Sequence, residues 1–426
     1  MKNQSKGSAS ISKHIKYTKL TRTGSERLAK LATIALILLT TLPASSNQAT
    51  LRCLNERRQE VSWFIALRLK GTVTPREYIV MDNLRPTWRV TTEKVLMGGL
   101  LYQVNVKRSQ VIAWSDQPPQ QSLTKGQLKQ GESPEDPKFN HASAHHFGFK
   151  QNLKQGWKIT AHSKGLLTYN NQLNQGFLLS HSIPQYPVLR PDGSFDPVSR
   201  KSSKYGQHVV CVTLRYGYKQ FARIAKQLDT SSPDYYYQGF DINKQSRRRN
   251  LGLFDYLNRK GYQKRCRHRK KFKKASKPLM ATSSPTLRGM PPYQKVSSFT
   301  FVTKTDKMIV PVFSGFLIPF LNAININTKG LIVETWGRPL KPSNCYLKDT
   351  VVNVRRLSYD NRYFWTEGSD HAKWAISNDI LTGLVCLGDL NHMTSQAKRG
   401  GSFLCIQHKM VYKGFMDLIK ERDWCV

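Results

Sequence analysis

His162-Ser163-Lys164 and His371-Ala372-Lys373 are two copies of one short pattern, about 210 residues apart in a chain of 426. Each sets an imidazole two residues from an ammonium, and on a strand residues i and i+2 share a face. A phosphodiester needs that set: a group that exchanges protons near neutral pH, and cations for the non-bridging oxygens. No metal is required, and the expected cofactor and metal content is none. One copy alone is weak evidence in a chain with 67 Lys+Arg and 11 His, where the plain reading is a solvated surface pair. The surroundings of both copies shift the reading toward a two-lobed phosphodiesterase site.

From Cys53 to about Leu228 the sequence is dense in short strand-like runs, such as Val61-Ser62-Trp63-Phe64-Ile65-Ala66-Leu67, Leu166-Leu167-Thr168-Tyr169, Phe177-Leu178-Leu179 and Val209-Val210-Cys211-Val212. Apolar spacing predicts a helix over Phe221–Leu228. Residues 116–143, rich in Gln, Pro, Ser and Gly, read as an exposed loop. Strand-like runs resume at Phe299-Thr300-Phe301-Val302, Met308–Phe313 and Gly330–Glu334, and a helix is expected over Met410–Ile419. The order of strands, His-x-Lys and helix thus recurs, which points to an internal duplication. The division expected is an N-terminal lobe at 50–242, a basic linker or insertion at 243–295 and a C-terminal lobe at 296–426.

The chain is 39% hydrophobic and 10% aromatic, enough to bury a core. A net charge of +40 favours a polyanionic partner, nucleic acid or an anionic membrane surface. Residues 1–46 read as a long basic n-region, the apolar run Leu31–Leu39 and a small-residue stretch near Ser46: a signal peptide, or else an uncleaved anchor. No other run approaches membrane length. A soluble mature protein, secreted or lysosomal, is expected. All seven cysteines follow that segment, where disulfides are permitted, and one thiol must remain over, with Cys266 the leading candidate. Arg247-Arg248-Arg249 and the run Arg265–Lys274 read equally as a self-repelling linker or as a DNA-tracking arm with Tyr262 and Phe272 as stacking groups.

Several ordered segments together resemble the deoxyribonuclease II family. They are Cys53 with Val61-Ser62-Trp63-Phe64, Ser115-Asp116-Gln117-Pro118-Pro119, Ala161-His162-Ser163-Lys164-Gly165, Leu179-Ser180-His181-Ser182-Ile183-Pro184-Gln185-Tyr186-Pro187, Tyr205-Gly206-Gln207-His208, Lys341-Pro342-Ser343-Asn344-Cys345, Glu367-Gly368-Ser369-Asp370-His371-Ala372-Lys373-Trp374, Cys386-Leu387-Gly388-Asp389-Leu390-Asn391 and Lys398-Arg399-Gly400-Gly401. The resemblance covers Cys53 to Cys425. It implies a mixed α/β, phospholipase D-like fold, a pseudo-dimer of two sandwich lobes with mixed sheets flanked by helices and one site at the seam. It implies an acid, metal-independent endonuclease for DNA, releasing 3′-phosphate and 5′-hydroxyl ends. By motif, His162, Lys164, His371 and Lys373 are the catalytic set, and His181 matches a further functional histidine. The pairing implied by the family is Cys53–Cys211, Cys345–Cys425 and Cys386–Cys405.

Chemistry agrees: one imidazole must be neutral to attack phosphorus and the other protonated to serve the leaving 5′-oxygen, which acid supplies. His162 is taken as nucleophile and His371 as acid, although sequence does not decide between them. Asp370 either tunes His371 or caps a turn, since adjacent strand residues face opposite ways. Asp389 and Asn391 either hold an imidazole or phosphate, or are turn residues. Trp63, Trp336 and Trp374 read as core, and His145 and His146 as solvated. Departures from the family pattern are Ser62, Trp114-Ser115, Ala161, Ser163 and Ala375; Ala161 fits provided no positive φ is needed there. Two alternatives remain: a catalytically inactive secreted DNA-binding homologue, and, by fold analogy, a phospholipase. The oligomeric state is not legible.

Overall fold

The computed structural model describes residues 50–70, 76–119, 161–197, 205–215, 217–239, 293–296, 298–345 and 349–424. The leader at 1–46, the basic tracts with Tyr262, Cys266 and Phe272, the loop from 120 onward with His145 and His146, and Cys425 lie outside the described residues.

The first half forms an eight-stranded sheet. Its strands are β1 (Trp63–Arg68), β2 (Glu77–Asp82), β3 (Arg89–Thr92), β4 (Gln110–Ser115), β5 (Lys164–Asn170), β6 (Gln175–His181), β7 (Gln207–Thr213) and β8 (Tyr235–Gly239). They lie in the order β8-β4-β5-β6-β7-β1-β2-β3. Helix α1 (Glu93–Tyr102) follows β3, and α2 (Gly217–Thr230) follows β7. The second half supplies β9 (Tyr293–Val296), β10 (Phe299–Lys304), β11 (Gly330–Thr335), β12 (Thr350–Tyr359), β13 (Tyr363–Thr366), β14 (Lys373–Ser377), β15 (Leu384–Gly388), β16 (Gly401–Gln407), helix α3 (Lys409–Leu418) and β17 (Ile419–Arg422). Their order is β9-β10-β16-β15-β14-β11-β12-β13, with β17 on β12.

Five strands of each sheet wind alike. In the first, β1 pairs with β7, and β6, β5 and β4 step away in turn, every neighbour antiparallel. In the second, β10 pairs with β16, and β15, β14 and β11 step away in the same sense. A helix follows each set, α2 after β7 and α3 after β16. The duplication expected from the order of motifs is therefore present in the topology of a mixed α+β fold.

Side-chain alternation fixes the layers. Trp63, Ile65 and Leu67 of β1 enter a core shared by both sheets, while Phe64 and Ala66 face a second core under α1. In the other sheet Ile332, Trp374 and Ile376 join the shared core, and Leu331, Val333 and Ala375 face a third core capped by the helical turns at Val312–Leu317 and Ile318–Ala323. Phe221 and Ile224 of α2 and Val411 and Phe415 of α3 fill the space between the sheets. With both faces covered, the strands read as continuous apolar runs rather than alternating ones. Trp63 meets Phe299 edge-on at 5.9 Å, and the indole N–H of Trp88 donates to the Gly414 carbonyl at 2.8 Å, so each half finishes the other's core. Truncating a buried aromatic such as Trp63 costs about 3–5 kcal/mol.

Two disulfides tie strands from the outer faces. Cys53–Cys211 closes the N-terminal segment onto β7, and Cys386–Cys405 joins directly opposed residues of β15 and β16. Both are the pairs the resemblance implied. Cys345 is also disulfide-bonded. Among the described residues no helix is long and apolar enough to cross a membrane.

Candidate active site

Both His-x-Lys copies sit at the same place in the shared winding. Lys164 opens β5 opposite Ser115, the last residue of β4, and Lys373 opens β14 opposite Thr335, the last residue of β11. The histidines therefore precede the strands rather than lie within them, which corrects the expectation that each pair shares one strand face. The cause is visible in the backbone: each histidine N–H leaves its own sheet and bonds to the other half. His162 N–H donates to Gly400 O at 2.9 Å, and His371 N–H donates to Gly206 O at 2.9 Å.

Glycine makes that mutual docking possible. A Cβ on Gly400 would lie 1.9 Å from the Ser231 carbonyl oxygen, and one on Gly206 would lie 2.4 Å from the Asp370 carboxylate. Both glycines face residues of the opposite half, so any side chain would push the halves apart at the motifs. The four motif residues are also coupled electrically. Lys373 lowers the His162 pKa and Lys164 lowers that of His371.

The two imidazoles have different surroundings. His162 Nδ1 lies 2.7 Å from the Asp389 backbone carbonyl, an acceptor, so Nδ1 carries the hydrogen and Nε2 presents its lone pair. Nε2 lies 3.6 Å from Asp116 Oδ2. Burial and Lys164 hold His162 well below the ordinary imidazole range, against the pull of Asp116. Asp116 binds Lys164 Nζ at 2.5 Å and accepts from Arg399 Nη2 at 3.1 Å. Burial works to raise the Asp116 pKa, but Lys164, His162 and Arg399 outweigh it and keep the carboxyl ionised.

His371 meets aromatic rings instead. Tyr205 stacks on it with centroids 4.2 Å apart, and Trp336 lies tilted at 5.0 Å. Its Nε2 is buried with no hydrogen-bond partner among the described residues. Burial, Lys373 and Lys164 bring its pKa down to about 3. Lys373 Nζ donates to the His371 carbonyl at 2.7 Å, and burial with Lys164 brings this ammonium down to about 7.

The remaining expected residues take supporting places. His181 ends β6, next to Ser180, which faces Gly165 across the β5–β6 ladder, and it packs edge-on against Tyr186 at 5.4 Å. Among the described residues neither of its ring nitrogens has a partner of full hydrogen-bond geometry. Burial and Lys164 bring its pKa to about 3, with the Ile183 backbone pulling the other way. Asp370 accepts from Ala372 N–H and from the Trp365 indole, each at 2.8 Å, so its role is the structural one. Asp389 holds His162 through its carbonyl rather than its carboxylate, which is spent on the Ser402 N–H and hydroxyl and is raised by burial to about 7. Asn391 is buried with Oδ1 unpartnered and makes no hydrogen bond to either motif among the described residues.

Trp63 and Trp374 are core, as read from sequence, but Trp336 is only half-buried and belongs to the site. It follows β11 at the strand end, where the chain turns from the sheet toward His371. Asp116, Tyr205, His208 and Arg399 lie within the family-like segments, and sequence alone gives them no role. His208 Nδ1 accepts the Lys373 N–H at 3.1 Å, which anchors the second motif on β7. Position one residue past the strand paired with each motif lysine would have singled out Asp116 and Trp336. Ala161 is not among the described residues with positive φ, so its lack of glycine's freedom costs nothing. No cluster of three His, Cys, Asp or Glu able to hold a metal occurs among the described residues.

Known proteins share this chain's length and pattern. It is 25% identical to human deoxyribonuclease-2-beta over 88% of this chain and 92% of that one. Plancitoxin-1 of Acanthaster planci is 25% identical over 92% and 97%, and bovine deoxyribonuclease-2-alpha is 26% identical over 93% and 95%. The model of the family described as Deoxyribonuclease II matches residues 52–425, all but the first 51 residues and the last one. The chain belongs to the deoxyribonuclease II family.

Proposed function

We propose that this protein is an acid, metal-independent endodeoxyribonuclease that works through His162 and His371. The observation that carries the reading is the mirrored docking of the two motifs, His162 N–H on Gly400 O and His371 N–H on Gly206 O, which brings both imidazoles and both lysines to one seam. His162 Nε2 attacks phosphorus while the bond to O5′ breaks and His371 gives that oxygen its proton. The product of this step is a phosphohistidine carrying the 3′ side of the strand and a free 5′-hydroxyl. Neutral His371 then takes a proton from water, the oxygen of which attacks phosphorus, breaks the P–N bond and releases a 3′-phosphate. Lys164 and Lys373 offset the charge on the non-bridging oxygens throughout.

The electrostatics support these roles. Burial keeps His162 neutral in acid, with its Nδ1–H on a carbonyl and its Nε2 lone pair available. His371 is neutral in the free protein because burial, and with it the ammonium groups of Lys373 and Lys164, oppose its charge. A phosphodiester anion seated on those lysines removes the opposition, and the two rings beside His371 favour its cation. Acid is thus needed to protonate a group that substrate itself makes protonatable. We further propose export by the leader at 1–46 to a secreted or lysosomal place, which fits a protein with disulfides in both halves.

The test is nicking of supercoiled plasmid by the purified protein at about pH 5 in EDTA, beside His162→Ala and His371→Ala. Each change is expected to lower the rate by about 10²–10⁴ or more. Tight DNA binding with no cleavage at any pH, with or without added metal, would instead identify an inactive DNA-binding homologue.

A further inference from the structure

The Asp116 carboxylate is surrounded by the groups that a phosphate would need. Lys164 Nζ lies 2.5 Å from Oδ1, while Arg399 Nη2 at 3.1 Å and His162 Nε2 at 3.6 Å approach Oδ2. The attacking nitrogen and one charge-stabilising lysine of the proposed reaction are thus already turned toward an anion. A carboxylate and a phosphodiester both present two oxygens that share one negative charge, and Lys and Arg bind either in the same way. Two such anions cannot hold Lys164 and Arg399, beside the His162 lone pair, at once. We propose that Asp116 occupies the seat of the scissile phosphate in the free protein, and that Arg399, reaching across from the second half, is a third phosphate-binding cation that DNA takes over as the carboxylate turns out.

The seat is built rather than incidental. Arg399 also donates to the Ala161 carbonyl at 3.2 Å, beside His162. Its backbone is fixed from below by Lys304, a fully buried lysine with Nζ donating to Arg399 O at 2.9 Å and Ala397 O at 2.8 Å. The next residue, Gly400, carries the carbonyl that holds the His162 N–H. One short segment therefore places a guanidinium and the attacking imidazole together. Asp116 follows the last residue of β4, and its N–H reaches Ser163 O at 3.3 Å, so the turn of its side chain is not tied into the strand ladder. Acid does not empty the seat, because the surrounding cations keep the carboxyl ionised, so the anions must exchange. DNA, with neighbouring phosphates to add contacts on a chain of +40, drives that exchange further than a lone phosphate does.

The proposal rests on the proposed reaction only for naming DNA as the source of the phosphate. Its test is read without cleavage: calorimetric titration of the full chain with inorganic phosphate at about pH 5. Asp116→Asn, which keeps the shape and loses the charge, should bind phosphate about tenfold more tightly than the unaltered protein, and Arg399→Gln about tenfold more weakly, as for one charged hydrogen bond. Arg399→Lys should recover part of the loss. Phosphate affinity that is unmoved or lower in Asp116→Asn overturns the seat, and so does full affinity in Arg399→Gln. If thermal melting shows Asp116→Asn unfolded, the two Arg399 variants decide alone. A protein that binds phosphate as stated yet never nicks DNA would refute the nuclease and leave the seat standing.

Discussion

His162 and His371 occupy equivalent points of one repeated winding, and their surroundings could hardly differ more. Ser115 faces Lys164 as Thr335 faces Lys373, so the next residues, Asp116 and Trp336, are structural counterparts. The first places a carboxylate 3.6 Å from His162, and the second lays an indole 5.0 Å from His371. Backbone duplication decides where the imidazoles stand. The side chain one step beyond the strand sets them apart: Asp116 pulls the His162 pKa up against burial and Lys164, whereas His371 has an indole there and no carboxylate. The roles proposed above, nucleophile for His162 and acid for His371, need opposite protonation states, which unlike surroundings favour.

The strongest way to break the comparison is through the lysines, which look alike and are not. Asp116 neutralises Lys164 at 2.5 Å, whereas Lys373 Nζ donates to the His371 carbonyl alone among the described residues and is brought down to about 7 by burial and Lys164. Its cation is present below that pH and lost above it. Lys373→Met is expected to lower kcat by about 10²–10³, as when one preorganised donor to the developing charge is removed. Lys373→Arg, which does not titrate, should flatten the decline of kcat/KM above about pH 7, and an unchanged decline would assign that limb to another group.

The next largest effect concerns stability. His181 is buried and titrates at about 3 in the folded chain, against an unfolded value of 6.5. A depressed folded pKa means that the unfolded chain takes up a proton first. Stability from this group is full above 6.5 and is lost as pH falls toward 3. At pH 5 the loss is about 2 kcal/mol. Denaturant melts at pH 7 and pH 5 should therefore differ by about 2 kcal/mol less in His181→Leu than in the unaltered protein. Equal differences would show that His181 keeps its ordinary pKa. Asp389, raised to about 7, works in the opposite direction in both proteins and cancels in the comparison.

Much of this arrangement was legible in sequence, and the remainder has physical reasons. Two His-x-Lys copies within strand-rich stretches pointed to the candidate site, and the Phe221–Leu228 and Met410–Ile419 patterns fall within or across one residue of the observed helices. Composition could not show that β5 and β14 begin at the lysines, because that boundary is set by a hydrogen bond to the opposite half, about 170–240 residues away in sequence, a tertiary choice that no local pattern records. The same blindness hid Asp389: a side chain can be read from sequence, but its carbonyl, the group that holds His162, belongs to every residue. Trp336 was read as core because large aromatics usually are, and only its place at the end of β11 tells otherwise.

The smallest expected effect is the sharpest test of the comparison. Trp336→Ala removes one of the two rings beside His371, a contact with its cation worth about 0.5–2 kcal/mol. The pKa of His371 in the DNA complex should fall by up to about one unit, and since this group must be protonated, the alkaline limb of kcat should move to lower pH. Trp336→Asp gives His371 what His162 already has, a carboxylate one residue past the paired strand. That limb should then move the other way, because a nearby anion favours the imidazolium. Opposite displacements would show that the residue after the strand sets the division of roles between two otherwise repeated halves. Parallel displacements would mean that Trp336 only shapes the pocket, and that the asymmetry arises from Asp116 alone.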